Sequence, residues 1–422
     1  LEGEVDISPL DILQMLGRAG RPDYDDVGYG WVICDREDAD KYRRLLRDGK
    51  EIESRLADDL DAHLNAEIAL GTIRDLDDVM DWLETTFYYQ RAHANPEAYD
   101  PEGLRERVRS TLETLVDRGF VDTDSDLGVE GTQLGRLASN FYLRLATAVG
   151  FADLVERDRL SVDAVLDAVA RAEEFDSVSA RQAETDAIDE VLGDTDTDLE
   201  NGHRKVLAIL QASMDDRVPS GLRSDAWVIK QNALRLLAAL HAFADRFAGP
   251  RAANLVRRIE ARVEHGVSRE AVGLTAIDGV GAGRAETLAT GGLTTPGDLV
   301  AAGVDELTRA GLTAGVAERV ADAASELPRI AVEWGDFPTS IARGDNEMCE
   351  ITVRTTAGGA AVGIRVTVNG VEMNEKRCYL SDETAVPVGV FGADEDLEFT
   401  VEVTFPDLPL PPVRVSRSVT VE

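Results

Sequence analysis

A pair of arginines near the start of the sequence is its most specific chemical feature. The stretch QMLGRAGRPDYDDVGYG occupies residues 14–30, and Arg18 and Arg21 each follow a glycine, Gly17 and Gly20. A guanidinium group offers parallel N–H donors that match phosphate oxygens, and glycine lets the backbone approach a ligand closely. The residue types alone fit two interpretations: a phosphate-binding pair, or a turn that carries two solvated arginines.

The order of residues in this stretch resembles motif VI of superfamily 2 helicases, in the form QM-GRAGRP-D-G that is typical of the Superkiller-like branch. The resemblance implies that Gln14 and Gly17 face ATP. It also implies that Arg18 and Arg21 reach the γ-phosphate from the second of two RecA-like lobes, one of them as an arginine finger. Their role would be to neutralise charge on the transferring phosphoryl group.

The other motifs of an ATP site do not occur in the sequence. A Walker A loop needs Gly-Lys followed by Ser or Thr, but Gly49-Lys50 is followed by Glu51, and there is no DExH box. If motif VI is correctly assigned, the phosphate cradle and the carboxylates that hold Mg²⁺ lie upstream of Leu1. We therefore expect residues 1–45 to be the end of the second RecA-like lobe, with GYGWVIC as a strand, and we expect the chain not to hydrolyse ATP alone.

The next region, residues 46–128, resembles the winged-helix domain that follows the motor in this helicase branch. The segments that carry the resemblance are ESRLADDLDAHLNAEIALGTIRDLDDVMDWL and, just beyond the region, TQLGRLASNFYL. Between them, GFVDTDSDLGVE places polar turn residues between two short apolar runs, which predicts a hairpin. The apolar residues of this region are expected to form its core.

Residues 129–268 carry leucine and alanine at spacings of three and four, which predicts a bundle of amphipathic helices. Its longest predicted helix spans residues 222–247, and at 100° per residue one face holds Ile229, Leu236, Leu240, Phe243 and Phe247. Near the opposite face, Trp227, Gln231 and Arg235 form an i, i+4, i+8 stripe. An exposed tryptophan suits stacking of a single-stranded base. The alternative is that Trp227 packs on the winged-helix domain.

The predicted helix 222–247 resembles the ratchet helix, which steps along the translocating strand in these helicases. The related pattern usually carries a second arginine three residues beyond Arg235, and here that position is Ala238. Gln231 and Arg235 are therefore the better candidates for strand contact.

Glycines interrupt the short helices of residues 269–327, where LTAIDGVGAGRAETLATGGLTTPGDLV resembles a helix-hairpin-helix motif. The resemblance implies that Gly279, Gly281 and Gly283 free N–H groups at a helix N-terminus for a phosphate. Asp278 stands where proline is usual, and Arg284 can offset its charge. The alternative is that the motif serves only packing or partner contacts.

Residues 328–422 change to a period of two, as in CEITVRTT, IRVTVNG and LEFTVEVTF. This pattern predicts a small antiparallel β-sandwich of immunoglobulin or fibronectin type, with Asn369-Gly370 as a hairpin turn. Nothing in it suggests catalysis, and its expected role is contact with protein partners. The chain as a whole is thus predicted to be multidomain and mostly α-helical, with a RecA-like α/β remnant, a winged helix, a helical bundle, a helix-hairpin-helix and this sandwich.

Composition adds a constraint on partners. The 422 residues carry a formal charge of −36, with 44 basic and 80 acidic residues, and only five of the basic residues are lysines. Acidic charge spread over every domain is typical of a protein adapted to a salty cytoplasm, because at molar salt the Debye length falls to about 3 Å. The charge is therefore weak evidence against nucleic acid as a partner.

Several other classes of protein find no support in the sequence. The three cysteines are scattered singly, the five histidines lack metal-ligand spacing, and no metal site is predicted. There is no Gly-x-Ser-x-Gly or HExxH motif. No run of about twenty apolar residues occurs and LEGEVDISPL does not resemble a signal peptide, so we expect a cytoplasmic protein without a membrane partner.

The leading hypothesis is the carboxy-terminal part of an ATP-dependent 3′–5′ helicase, dependent on ATP and Mg²⁺. Its partner would be single-stranded or partly duplex nucleic acid, with DNA favoured over RNA. The rival hypothesis is a non-enzymatic scaffold for proteins and nucleic acid, derived from a degenerate helicase. The missing Walker A loop and Ala238 favour the scaffold hypothesis. The intact Gln14, Arg18 and Arg21 argue against it.

Overall fold

The computed structural model describes residues 9–20, 27–48, 53–100, 102–124, 128–157, 159–193 and 198–422. The chain divides into two units, one formed by Leu1–His63 with Asp75–Thr111 and the other by Leu64–Arg74 with Leu112–Glu422. Each unit is described by itself below.

The first unit is helical. Its helices are α1 (Pro9–Leu16), α2 (Ala39–Asp48), α3 (Leu60–Leu70), α4 (Leu76–Glu84), α5 (Phe87–Ala94), α6 (Pro96–Tyr99) and α7 (Leu104–Asp117), of which α3 and α7 also contribute residues to the second unit. Side chains cap two of them: Asp75 accepts from the first N–H groups of α4, and Thr86 accepts from the N–H of Tyr89 in α5.

The predicted strand at GYGWVIC is wrong. Residues 27–35 adopt no regular structure, and Trp31 and Ile33 are exposed. A strand needs hydrogen-bonded neighbours, and no residue that the structure describes pairs with this segment. The apolar run therefore has the composition of a buried strand without the sheet that would bury it.

The predicted hairpin of the winged-helix region is confirmed. Strands β1 (Val121–Thr123) and β2 (Val129–Gly131) pair antiparallel. The following helix packs against the start of the hairpin so closely that a Cβ on Gly135 would lie 2.2 Å from the carbonyl oxygen of Phe120. The buried Asn65 amide donates to the Gly135 carbonyl at 3.0 Å, which joins α3 to this helix.

Helices predominate in the second unit up to residue 326, as the spacing predicts. They are α8 (Gln133–Asn140), α9 (Leu145–Val155), α10 (Val162–Ala170), α11 (Thr185–Leu192), α12 (Asn201–Ser213), α13 (Arg223–Phe243), α14 (Pro250–His265), α15 (Ala282–Thr290), α16 (Pro296–Arg309) and α17 (Ala314–Glu326). The buried face of α13 contains Ile229, Leu236, Leu240 and Phe243, as predicted.

The placement of Phe247 on that buried face is wrong. Residues Ala244–Ala248 form a π-helical turn after α13, and Phe247 is 43 % exposed. A π-turn holds more residues than an α-turn, so the angular phase that a wheel assigns from Ile229 no longer applies beyond Phe243.

The period-two pattern after residue 328 is confirmed as two sheets. The strands are β3 (Arg329–Glu333), β4 (Ser340–Ile341), β5 (Asn346–Ala357), β6 (Ala360–Val368), β7 (Val371–Leu380), β8 (Glu383–Phe391), β9 (Leu397–Thr404) and β10 (Val413–Val421). One sheet has the order β4-β10-β9-β6-β7 and the other β3-β5-β8. All pairs are antiparallel except β4 with β10.

A hairpin turn and a set of hydrogen bonds from α14 hold parts of the sandwich in place. Asn369 and Gly370 have φ of 47° and 82°, which is the pair of positive angles that a type I′ turn between β6 and β7 requires. On the bundle side, the buried Asn254 amide of α14 donates to the carbonyls of Phe405, Leu408 and Leu410 at 2.8–3.1 Å. The loop after β9 is therefore held against α14.

Candidate nucleic-acid interface

The residues of the motif VI segment lie at the end of α1. Gln14 and Arg18 are exposed, and the N–H of Gly17 donates to the Leu13 carbonyl at 2.8 Å, which closes the helix. A Cβ on Gly28 would lie 2.3 Å from the carbonyl oxygen of Ala19, so the returning segment passes too close for any side chain there. Arg21 lies outside the described residues. The exposed guanidinium of Arg18 has the chemistry to bind a phosphate.

Helix α13 presents a polar face with one large aromatic residue on it. Trp227 is 71 % exposed and Gln231, one turn further, is also exposed. Within the second unit the indole is therefore not buried, and its packing on the winged-helix domain, the alternative explanation, stays a hypothesis. A single exposed aromatic residue needs no partner, but its ring offers a face on which a base can stack.

A buried ion cluster fixes the N-terminal end of α13. Lys205, on α12, is fully buried, and its Nζ lies 2.9 and 3.0 Å from the two carboxylate oxygens of Glu184. It also donates to the carboxylate of Asp225, in the first turn of α13. Burial raises the pKa of Glu184, but hydrogen bonds from the N–H of Arg181 and from Lys205 outweigh it, so the pKa is lowered.

The guanidinium of Arg235 is hydrogen-bonded to other groups of the protein. Its Nη1 donates to the carbonyl of Phe141 at 2.7 Å, and its Nε and Nη2 donate to Oδ1 of Asn232 at 3.3 and 3.1 Å. Its Nη2 also lies 3.9 Å from Glu174. Most of the donors of this guanidinium are therefore used between α13 and the turn that follows α8, and direct strand contact by Arg235 stays a prediction.

No sequence pattern predicts the partners in these two clusters. Glu184 and Glu174 precede their cationic partners by 21 and 61 positions, and neither stands in a recognisable motif. A local pattern cannot show such pairs. The acidic residue in the first turn of a helix, as Asp225 is, was the one local sign of a fixed helix end.

The glycine-rich segment before α15 is open to solvent. Gly281 precedes the first residue of α15, Gly279 has φ of 79°, and a Cβ on either residue, or on Gly283, would meet no atom within 4 Å. Arg284 donates from Nη1 to the carbonyl of Gly279 at 2.5 Å, so it closes the turn. The exposed N-terminus of α15 has room for a phosphate.

Metal-binding groups and membrane-spanning helices can be assessed only for the part of the chain that the structure describes. It contains no group of three or more His, Cys, Asp or Glu side chains placed to hold a metal ion. Among the same residues, no helix combines the length and apolarity needed to cross a bilayer.

Two family models match the chain. A winged helix-turn-helix domain model of the SNRNP200 type matches residues 53–129, and the Sec63 Brl domain model matches residues 131–410. This succession defines the region that follows the motor in Superkiller-like superfamily 2 helicases. The chain belongs to the Sec63 domain family, and its two matches support its likeness to the carboxy-terminal region of helicases of that branch.

Relatives of known name agree with this assignment. The chain is similar to activating signal cointegrator 1 complex subunit 3 of Homo sapiens, with 32 % identity over 283 residues that cover 61 % of this chain and 13 % of that protein. It is similar to the U5 small nuclear ribonucleoprotein 200 kDa helicase of Drosophila melanogaster, with 34 % identity over 56 % of this chain and 12 % of that protein. The chain thus spans about an eighth of the length of these relatives.

A solved structure also resembles part of the chain. The CARDB domain of the PF1109 protein from Pyrococcus furiosus is 16 % identical, covers 23 % of this chain and 90 % of its own, and has a TM-score of 0.20. A score this low supports no conclusion about fold or function.

Proposed function

We propose that this chain is the carboxy-terminal portion of an ATP-dependent helicase that moves 3′ to 5′ along a nucleic-acid strand, and that α13 guides the strand. The observation that carries the proposal is the exposure of Trp227 above Gln231 on the polar face of α13. An indole ring stacks on any base, and an amide donates to phosphate or base without reading sequence. Both properties suit a surface that a strand must pass.

Arg18 and Arg21 are proposed to act on the γ-phosphate of ATP, with Gln14 and Gly17 beside the nucleotide. The exposure of Arg18 at the end of α1 supports the phosphate contact, since its donors are available to an oxygen. ATP and Mg²⁺ would be bound mainly by lobes that this chain does not contain. Residues 1–45 then belong to the second RecA-like lobe and supply charge neutralisation in the transition state.

The segment before α15 is proposed as a second contact, of helix-hairpin-helix type, with the nucleic-acid backbone. Gly279, Gly281 and Gly283 leave space for a phosphate at the N-terminus of α15, and Arg284 shapes the turn through the Gly279 carbonyl. DNA is favoured over RNA as the strand. The sandwich, which exposes Val371 and Phe391, is proposed to contact proteins.

A non-enzymatic scaffold is the second candidate, and one observation favours it. Arg235, the cation expected to touch the strand, is used within the protein by the carbonyl of Phe141 and by Asn232. A bundle that binds proteins rather than a strand would need no free cation there.

Binding of a fluorescein-labelled 20-nucleotide strand, DNA or RNA, to the 422-residue chain tests the proposal by fluorescence anisotropy. Molar KCl is required because a chain of charge −36 repels a polyanion at low salt. Loss of a stacked base costs about 1–3 kcal/mol, so Trp227→Ala should weaken binding at least five-fold. Met348→Ala, at an equally exposed residue of the sandwich, is the control.

Equal binding by the wild type and Trp227→Ala would remove α13 as the strand guide. Tighter binding of RNA than of DNA would overturn the preference for DNA while leaving the guide in place. Absence of binding to either strand would favour the scaffold.

A further inference from the structure

Tyr142 is the most exposed aromatic residue on the described part of the bundle. It follows α8, its side chain is 88 % exposed, and its φ is +52°. A tyrosine is disfavoured in the left-handed region, where glycine or asparagine is usual. A residue in this conformation persists where its surroundings fix it.

Two charged side chains fix the turn around Tyr142. Arg235 of α13 donates to the carbonyl of Phe141 at 2.7 Å and to that of Tyr142 at 3.4 Å. On the other side of the turn, Glu174 accepts from the N–H of Arg144 at 2.9 Å and from Oγ1 of Thr147 at 2.6 Å. Bonds to ionised groups are the stronger class of hydrogen bond, so the backbone of the turn is held on both sides of the tyrosine.

The contact with Arg235 places Tyr142 beside the polar face of α13. Gln231 and Trp227 lie one and two turns from Arg235 towards the N-terminus of that helix, a span of about 12 Å for eight residues. The backbone of Tyr142 therefore lies beside one end of this stripe and Trp227 lies at the other, and the side chains between them, Gln231 and Arg235, are polar. Below, Tyr142, Trp227 and Gln231 are called the α13 platform.

We propose that Tyr142 is a second base-stacking residue of the α13 platform and that Arg235 is its positioning residue. This inference rests on the proposed function, since it concerns the same strand. Rings separated by polar side chains suit a nucleic-acid strand, because each base offers its own π-face and the backbone between bases is polar. A protein partner would instead favour a continuous apolar centre.

The test uses the same 422-residue chain, labelled DNA strand and molar KCl, with substitutions at position 142. Tyr142→Gly removes the ring and places at φ +52° the residue that tolerates it best, so its Tm should equal or exceed that of the wild type. Its affinity for the strand should fall about five-fold to a hundred-fold, the usual range for one stacked base. Tyr142→Phe keeps the ring and should bind within two-fold of the wild type.

The matched control is Tyr379→Ala, because Tyr379 is 69 % exposed on β7, whose Arg377 contacts Asp245 beyond the C-terminal end of α13, whereas Trp227 lies near the N-terminal end of that helix. It should not change the affinity. If Tyr142→Gly binds like the wild type while Trp227→Ala binds weakly, the inference is overturned and the proposed function stands. If the wild type does not bind either strand, both fall.

The role of Arg235 has its own readout. Arg235→Lys keeps the positive charge but loses the planar fork of donors that spans the Phe141 carbonyl and Asn232, so it should weaken binding. If Arg235 acts through Tyr142, the double variant Arg235→Lys/Tyr142→Gly should bind no more weakly than Tyr142→Gly alone. Additive losses would mean that Arg235 contacts the strand directly and would overturn the positioning role.

Discussion

Replacing Lys205 by methionine should destabilise the second unit strongly. The lysine is fully buried, and it neutralises Glu184, whose side chain is 4 % exposed, and Asp225, whose side chain is 35 % exposed. Methionine fills a similar volume without charge. The variant would leave Glu184 buried with one hydrogen bond, from the N–H of Arg181 at 2.8 Å, and with the exposed guanidinium of Arg181 4.0 Å away.

Removing one partner of a buried ion pair typically costs about 3–5 kcal/mol, because the remaining charge is left uncompensated. Asp225 can be rehydrated at its greater exposure, so most of the cost comes from Glu184. We therefore expect the free energy of unfolding to fall by about 3 kcal/mol. The double variant Lys205→Met/Glu184→Gln removes the buried charge and should recover a large part of this loss.

Urea unfolding at pH 7, followed by far-UV circular dichroism, measures these differences. A loss below about 1 kcal/mol for Lys205→Met would refute the reasoning, since it would mean that Glu184 is not effectively buried. A double variant as unstable as Lys205→Met would show that the lysine acts by packing rather than by charge.

The same cluster predicts a dependence on pH. Lys205 lowers the pKa of Asp225, and the pKa of Glu184 is also lowered. A carboxyl group whose pKa is lowered by folding stabilises the fold above its unfolded pKa, about 4, and loses this contribution as the pH falls through the folded value. The difference between wild type and Lys205→Met should therefore shrink below about pH 4.

Further predictions concern the motif VI segment and two glycines, one in the sandwich and one in α17. In a full-length protein that contains this region, Arg21→Ala should abolish ATP turnover and spare ATP binding, measured by phosphate release and by a fluorescent nucleotide; unchanged turnover would exclude Arg21 as the finger and leave Arg18. In the sandwich, Gly370→Ala should cost about 1 kcal/mol in urea unfolding, because φ is +82° and no atom lies within 4 Å of the new Cβ. Gly315→Ala, equally free of neighbours but inside α17, should instead stabilise by about 0.5–1 kcal/mol; a loss at both positions would contradict the conformational explanation.

Local patterns predicted the elements that depend on neighbours in sequence. The Asn369-Gly370 turn and the hairpin of β1 with β2 were predicted correctly, since turn residues fix both within a few positions. The strand at residues 28–34 was predicted wrongly, because an apolar run indicates only that a segment favours burial. It does not show whether a sheet is present that would bury the segment. Phe247 was misplaced for a different reason, a change from α- to π-helical turns that side-chain spacing does not reveal.

The residues of the candidate site also differ in whether neighbours in sequence or distant residues determine their exposure. Trp227 and Gln231 became candidates because a helix of known phase places them on one face. Tyr142 was not found, since its exposure depends on a turn fixed by Arg235, which is 93 positions away. Only a weak feature of the sequence could have indicated Tyr142: it is a tyrosine just beyond the end of a helix, in a position that usually favours glycine.

The cations of α13 bear on how so acidic a chain would bind the proposed strand. Arg223, Lys230 and Arg235 each donate to a backbone carbonyl, of Val218, Glu264 and Phe141 respectively. These carbonyls are uncharged, so the bonds orient the cations within the bundle without cancelling their charge. In the proposed complex the rings of Tyr142 and Trp227 and the amide of Gln231 would supply the contacts that need no cation. Stacking does not itself depend on counterion release, so this part of the binding should persist at high salt.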